Sequence, residues 1–172
     1  MHFCGLKKLK VDNFAGPRQN IKMNSKLTII GREAKVSFPL IHASGVKAKT
    51  DTGADISSIW CGEVKKVKDK LECVFFGPES PHYTGKKVLF NKSEYKRSHI
   101  FNSFGTGEKR YKVKMPVVIN GRRIRSTFTL ADRSKKEYPV LLGRKLLAKK
   151  FLVDVASGLS IKEGIRKVKE NL

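Results

Sequence analysis

The sequence predicts an all-β domain, and three observations support this fold class. Short runs of β-branched and aromatic residues recur from Leu27 onward, helical periodicity is scarce, and an Asn-Gly pair separates two alternating segments. The first runs are LTII at 27–30, KVSFPLI at 35–41 and VKAKTDT at 46–52. Turns are predicted between them at Gly31, at 43–45 and at Gly53.

The most specific local pattern is a hairpin over 111–131. YKVKMPVVI is followed by Asn120-Gly121 and then by RRIRSTFTLA. Asn and Gly both accept the positive φ that a two-residue type I′ turn requires. Apolar residues alternate with polar ones on each side of the turn, so each strand can bury one face; these residues are Val113, Val117, Ile119, Ile124, Phe128 and Leu130.

Helix is predicted at two places. RKLLAKKF begins after Gly143 and puts Leu146, Leu147 and Phe151 on one helical face. IKEGIRKVKENL, at 161–172, has a similar character and closes the chain. The length of 172 residues suits one domain. We therefore expect a basic N-terminal extension at 1–26, a folded domain at 27–156 and a basic C-terminal tail at 157–172.

The charge balance is unusual for a globular composition. The chain has 37 Lys and Arg against 15 Asp and Glu, which gives a net charge of +22. A field of this sign attracts polyanions such as nucleic acid, ribosomes or Glu-rich peptides. Because the basic residues are spread along the chain, an ordinary solvated surface is the alternative interpretation.

Cysteine usage and hydropathy bear on the compartment. The three cysteines, Cys4, Cys61 and Cys73, form no CxxC pair, which suits a reducing environment. The start MHFCGLKKLK lacks the apolar stretch of a signal peptide, and no run approaches the length of a membrane span. The expectation is a cytoplasmic protein without membrane contact.

Two motifs carry chemistry. Asp51-Thr52-Gly53 follows an alternating segment, and Pro139-Val140-Leu141-Leu142-Gly143-Arg144 lies downstream, with Gly143 92 residues after Asp51. Alone, Asp-Thr-Gly is common in turns, where the Asp caps the backbone. The second motif favours a catalytic role for Asp51.

With both motifs, the chain resembles the retropepsin family of homodimeric aspartic peptidases over about residues 33–155. DTGAD at 51–55 is similar to the catalytic loop, and LLGRKLL at 141–147 is similar to the segment behind it. The pattern is closer still to the bacterial and archaeal group labelled ATP-dependent zinc proteases, which is associated with ATP-grasp ligases that add glutamate to ribosomal protein tails. The resemblance implies a closed β-barrel of the acid protease fold with one short helix after LLGRKLL.

The resemblance also implies the mechanism. Amide hydrolysis through activated water needs a base and an acid together, and two carboxyls that share one proton supply both. Because the sequence has one Asp-Thr-Gly, the second carboxyl must come from Asp51 of another copy across a two-fold axis. Around it, Thr52, Gly53 and Ala54 would form the active-site loop, with Gly53 donating its N–H to a carboxylate and Thr52 bonding across the dimer.

Further roles follow from the same resemblance. Asp55 and Arg144 resemble the ion pair that joins the catalytic loop to the helix in this family. The alternative is that Asp55 caps a turn and that Arg144 is an ordinary surface charge. Leu142 and Gly143 would support the loop. The segment FNSFGTGEKR resembles a flap hairpin. The alternative is an ordinary β-turn, because two glycines suit any such turn. The flap candidates are Phe104, Gly105, Thr106 and Gly107.

The length between the motifs indicates an inserted hairpin or loop at about 60–100. Within it, 62–72 suits a turn or strand and the turn-rich segment 77–85 suits a loop. Such an insertion could cover the cleft or widen a dimer interface. The three arginines after the Asn-Gly turn are the expected capture site for an acidic substrate: Arg122, Arg123 and Arg125.

The "zinc" and "ATP-dependent" label has no support in the residues. There is no HExxH and no GxxxxGK[ST], and the four histidines are scattered. We therefore expect neither metal nor cofactor, with metal binding by Asp51 and a histidine as the alternative. The sequence thus predicts an aspartic endopeptidase acting on a peptide or protein substrate. The competing hypothesis is a catalytically silent adaptor of the same fold that binds ribosomes or nucleic acid.

Overall fold

Residues 27–101 and 107–158 are described by a computed structural model of the chain. The predicted extension at 1–26 and most of the predicted tail lie outside the described residues. So does the helix predicted at 161–172.

The described residues form eleven strands and one short helix, which confirms the all-β class. The helix is α1 (Arg144–Leu147). The strands are β1 (Thr28–Ile30), β2 (Glu33–Phe38), β3 (Ala43–Asp51), β4 (Ser57–Val67), β5 (Lys70–Phe75), β6 (Lys87–Phe90), β7 (Tyr95–Phe101), β8 (Gly107–Ile119), β9 (Arg122–Ala131), β10 (Val140–Gly143) and β11 (Phe151–Val153).

One large sheet holds nine of these strands. Its order is β10-β3-β2-β8-β9-β4-β5-β6, and β7 pairs with the first half of β8. Strand β10 pairs in parallel with β3 and antiparallel with β4. A separate two-stranded parallel sheet joins β1 to β11. The pairings of β10 bring the end of β3 and the start of β4, which flank the Asp-Thr-Gly loop, to one place.

The predicted hairpin is confirmed. Strand β8 ends at Ile119 and β9 begins at Arg122, with Asn120 and Gly121 between them at φ of 47° and 74°. Both values are positive, as a type I′ turn requires. The alternation also holds, because the apolar side chains of the two strands are buried; these are Val113, Met115, Val117, Ile119, Ile124, Phe128 and Leu130.

The turn predicted at 43–45 lies earlier in the chain. The chain reverses before β3 at a 3₁₀ turn over Pro39–Ile41, with His42 left-handed at φ 53°, and residues 43–45 belong to β3. Proline fixes φ and favours such a turn, whereas Gly45 takes its positive φ inside the strand.

The helix lies within LLGRKLL rather than after it. It ends at Leu147, because Ala148 leaves the helical region and Lys149 has a φ of 61°. Phe151, predicted on the helical face, instead opens β11, pairs with Thr28 and is buried. Phe151 is therefore a buried residue of a strand and not of a helix.

The insertion at 60–100 consists mainly of strands. The segment predicted as turn or strand at 62–72 forms the end of β4 and the start of β5, which turn at Lys68 with a φ of 53°. The segment at 77–85 lacks regular structure, as predicted. Within the described part of the chain, no helix has the length and apolar character needed to cross a membrane.

Candidate active site

Asp51 ends β3, and its own side chain orders the loop that follows. Its Oδ1 accepts hydrogen bonds from the Gly53 N–H at 3.2 Å and the Ala54 N–H at 3.1 Å. Its Oδ2 makes no hydrogen bond within the described residues, and the residue is half-buried. The loop therefore fixes the carboxylate while leaving one oxygen available to water or to a second carboxyl. Thr52, beside it, is exposed.

Strand β10 supports this loop from behind. Gly143 lies opposite Asp51 in the parallel ladder, and its N–H donates to Ser57 Oγ at 3.0 Å. A Cβ on Gly143 would lie 2.6 Å from the Ile56 carbonyl carbon, which is too close for any other residue. Leu142, one residue earlier, is completely buried. Gly143 and Leu142 thus pack directly behind the Asp51 loop.

The start of α1 fastens the far side of the loop. The Arg144 N–H donates to the Ala54 carbonyl at 2.8 Å, and the Lys145 N–H donates to the Asp55 carbonyl at 3.0 Å. The Arg144 guanidinium pairs with Asp55 Oδ1, and Lys145 Nζ lies 3.5 Å from Oδ2.

This ion pair lies at the surface. The Arg144 guanidinium holds the pKa of Asp55 below its usual value, and Lys145 adds to the effect. Its stabilising contribution is therefore present at neutral pH and is lost as the pH falls through the lowered pKa. Both side chains are more than half exposed, so the pair mainly orients the loop.

Ser57 is a supporting residue that the sequence did not single out. Besides accepting from Gly143, it offers its carbonyl to Thr129 Oγ1 at 3.2 Å, so one buried residue joins β10, β4 and β9. The next residue, Ser58, buries an Oγ without a partner among the described residues. Two hydroxyls inside an otherwise apolar strand, ISSIW, were the available indication.

The segment after β1 contacts the end of β3. The Thr50 N–H donates to the Arg32 carbonyl at 2.8 Å, and Thr50 Oγ1 donates to the Gly31 carbonyl at 2.7 Å. The Arg32 N–H donates in turn to the Ser157 carbonyl at 3.0 Å. The segments that flank β1 and β11 therefore contact the residue just before Asp51.

Arg133 is a second residue that the sequence reasoning missed. It is half-buried, and its Nε donates to the Tyr138 carbonyl at 2.7 Å. Burial lowers the pKa of Arg133, the nearby Arg110 lowers it further, and Asp51 acts in the opposite direction. Arginine stays protonated under such shifts. Arg133 is therefore a half-buried fixed positive charge that Asp51 attracts.

The three arginines expected to capture substrate make none of the contacts described above that hold the Asp51 loop. Arg122 Nη1 donates to the Lys150 carbonyl at 3.2 Å, and Arg125 pairs with Glu94 at 3.3 Å. Strand β9 reaches the start of β4 only at Phe128, five residues beyond Arg123. At the usual strand rise, this is about 16 Å.

The flap candidates are described only in part. Phe104, Gly105 and Thr106 lie outside the described residues, whereas Gly107 opens β8 opposite Phe101 of β7. The two strands therefore form a hairpin around this segment. Across the described ranges, no group of three or more His, Cys, Asp or Glu side chains is placed to hold a metal ion.

Comparison with known proteins identifies the family. The model of the RimB-like family, described as "Retropepsin-like aspartic endopeptidase RimB", matches residues 29–163. A protein of Legionella pneumophila, Lpg0085, of unknown function, superposes with a TM-score of 0.55 at 19% identity, covering 77% of this chain and 97% of that chain. At this identity the likeness concerns the fold.

Two curated relatives carry another name. The chain is 30% identical over 144 residues to a Shewanella pealeana protein named "Probable alpha-L-glutamate ligase", covering 82% of this chain and 31% of the relative. The corresponding protein of Shewanella halifaxensis is 31% identical over 135 residues, covering 77% and 29%. The chain thus spans less than a third of these relatives. With the family model matching most of its length, the chain belongs to the RimB-like family of retropepsin-like aspartic endopeptidases.

Proposed function

We propose that this protein is an aspartic endopeptidase whose active site forms between two copies of the chain. The observation that carries the proposal is the Asp51 carboxylate. Two backbone N–H groups hold one of its oxygens, while the other makes no hydrogen bond within the described residues. One such carboxylate per chain is half of the acid and base pair that peptide hydrolysis needs.

One of the two carboxyls would act as the base and the other as the acid. Like charges about 3 Å apart cannot both ionise, so the pair keeps one proton, as is general for aspartic proteases. The ionised Asp51 takes a proton from water, and the water oxygen attacks the peptide carbonyl carbon. The protonated Asp51 gives its proton to the carbonyl oxygen. The tetrahedral intermediate then collapses: the ionised carboxylate takes a proton from one hydroxyl as the C=O bond re-forms, the C–N bond breaks, and the protonated carboxyl gives its proton to the leaving nitrogen, so that the dyad again holds one proton.

Exposed apolar side chains next to the loop support pairing of two copies. Ile29 and Leu152 are register partners in the β1–β11 sheet and are 63% and 42% exposed. Val155, shortly after β11, is 71% exposed. Gly31 and Arg32, which follow β1, contact Thr50, so a copy that covers this sheet would bring its own Asp51 loop close. Strand β10, paired with both β3 and β4, supports the closed barrel expected for each copy.

For the substrate we propose an acidic peptide. Arg133 and Asp51 attract each other electrostatically, and the half-buried Arg133 is held by the Tyr138 carbonyl, so this fixed cation would favour an acidic residue of the substrate beside the loop. The relatives named as glutamate ligases suggest glutamate as the acidic residue. Arg123 and Arg125 lie five and three residues along β9 from Phe128, where β9 meets β4, so we assign capture to Arg133 instead.

A matched pair of quenched fluorescent peptides, one Glu-rich and one with Gln at the same positions, tests the substrate. We expect kcat/KM for the Glu peptide to fall about tenfold or more when salt rises from about 0.05 to 0.5 M, while the Gln peptide changes little. The variant Arg133→Gln should raise KM for the Glu peptide. Arg123→Gln, which removes the same charge away from the loop, should not.

Two outcomes would contradict the proposal at different levels. Equal salt dependence for both peptides would remove the acidic substrate and leave the peptidase in place. No cleavage of either peptide, or of a broader peptide library, would favour the adaptor hypothesis.

A further inference from the structure

A line of basic side chains runs along the outward side of β7, β8 and β9. We name it the basic stripe and define it as Lys96, Lys112, Lys114, Arg123 and Arg125. The strand register places these residues on one face, since Lys96 lies opposite Lys112, and β8 pairs with β9 from Lys112 to Ile119. The alternate residues of β8, from Val113 to Ile119, are buried in the core.

The basic stripe destabilises the folded sheet through repulsion between like charges. Lys96 and Lys112 face each other directly across β7 and β8, and like charges in that position destabilise a sheet. Among the ion pairs between described residues, only Glu94 with Arg125 compensates the stripe. An anionic partner would relieve this repulsion.

The position of the stripe argues against a role in peptide capture. Asp51 ends β3, which β2 separates from β8, and on the other side β9 meets β4 only from Ser57 onward, after the loop. An acidic peptide bound along the stripe would therefore lie on different strands from the catalytic loop. The stripe follows β8 from Lys112 to Val118, which is about 20 Å at the usual strand rise.

The side chains that lie between the basic residues indicate which part of a polyanion the stripe would contact. They are Ser98, Pro116, Val118 and Thr127, none of which offers an aromatic surface for base stacking. A narrow line of cations without such surfaces suits one phosphodiester backbone. A sequence pI of about 10.1 agrees with this kind of partner.

We propose that the basic stripe binds the backbone of single-stranded nucleic acid without recognising its bases. The proposal is independent of the peptidase function, because none of the five residues contributes to the Asp51 loop. The occupied stripe would hold the protein on a polyanionic scaffold and leave the catalytic face free.

Binding of a fluorescein-labelled oligouridylate of about 20 nucleotides, followed by anisotropy at several salt concentrations, tests the proposal. The stripe variant replaces four exposed residues with Gln: Lys96, Lys114, Arg123 and Arg125. Each lost phosphate contact lowers the slope of log K against log salt by about 0.7, so we expect the slope to fall by nearly 3. Kd should rise at least about tenfold at about 0.1 M salt.

The control removes the same charge elsewhere. Four exposed lysines of the β4–β5 hairpin are replaced with Gln: Lys65, Lys66, Lys68 and Lys70. This variant should change the slope by less than about 1. Equal losses in both variants would overturn the stripe, because net charge alone would then explain binding. Displacement of the oligonucleotide by polyglutamate at equal charge concentration would also overturn it, in favour of an acidic protein partner. Asp51→Asn should bind like the wild type.

Discussion

Asp51→Asn is expected to lower kcat/KM for peptide hydrolysis by at least about 1,000-fold, since acid and base catalysis both pass through this side chain. The amide has nearly the shape of the carboxylate, and its Oδ1 can still accept the Gly53 and Ala54 N–H groups. The loop should therefore keep its conformation, and the unfolding temperature should stay within about 2 °C of the wild type. Hydrolysis of a quenched fluorescent peptide and thermal unfolding measure the two effects.

The matched control is Asp69→Asn, which makes the same chemical change at an exposed turn between β4 and β5. Its activity should equal that of the wild type. Activity retained by Asp51→Asn would exclude the aspartic mechanism. Activity lost equally in both variants would show that the assay responds to charge rather than to the dyad.

Gly143→Ala is expected to damage both stability and activity. The added Cβ would lie 2.6 Å from the Ile56 carbonyl carbon and 2.9 Å from the Ser57 nitrogen, and these backbone atoms cannot turn aside. We expect a loss of about 1–3 kcal/mol in the free energy of unfolding, as is typical of overpacking. Displacing the loop by about 1 Å should cost a further 100-fold in kcat among the molecules that remain folded.

Gly53→Ala provides the control for stability. Its Cβ would meet only Asp51 Oδ1, at an ordinary 3.4 Å, so the unfolding temperature should change little. If Gly143→Ala unfolds at the same temperature as Gly53→Ala, the close packing of β10 against the loop is not what supports the site.

Local patterns predicted much of this fold, because they depend on a few neighbouring residues. Asn120-Gly121 specified a type I′ turn through backbone freedom alone, and the alternation around it specified which faces are buried. The resemblance carried by DTGAD and LLGRKLL pointed to the paired positions of Asp51 and Gly143.

The failures concern features that depend on tertiary contacts. Phe151 suited a helical face by spacing, yet pairing with Thr28 draws it into β11. Ser57 and Arg133 belong to no sequence motif. Their hydrogen bonds to Gly143 and Tyr138 form only when β10 and the 132–139 segment are folded. Sequence spacing likewise could not show that Arg123 lies five residues along β9 from the point where that strand meets β4.

The central claim is that one active site needs Asp51 from two chains, and mixing tests it most directly. Wild type and Asp51→Asn are combined in equal amounts at a fixed total concentration, allowed to exchange subunits, and assayed for peptide hydrolysis. If only the dimer with two intact carboxylates is active, random pairing leaves about one quarter of the wild-type activity. About one half would mean that each chain works alone, and the two-chain site would be wrong.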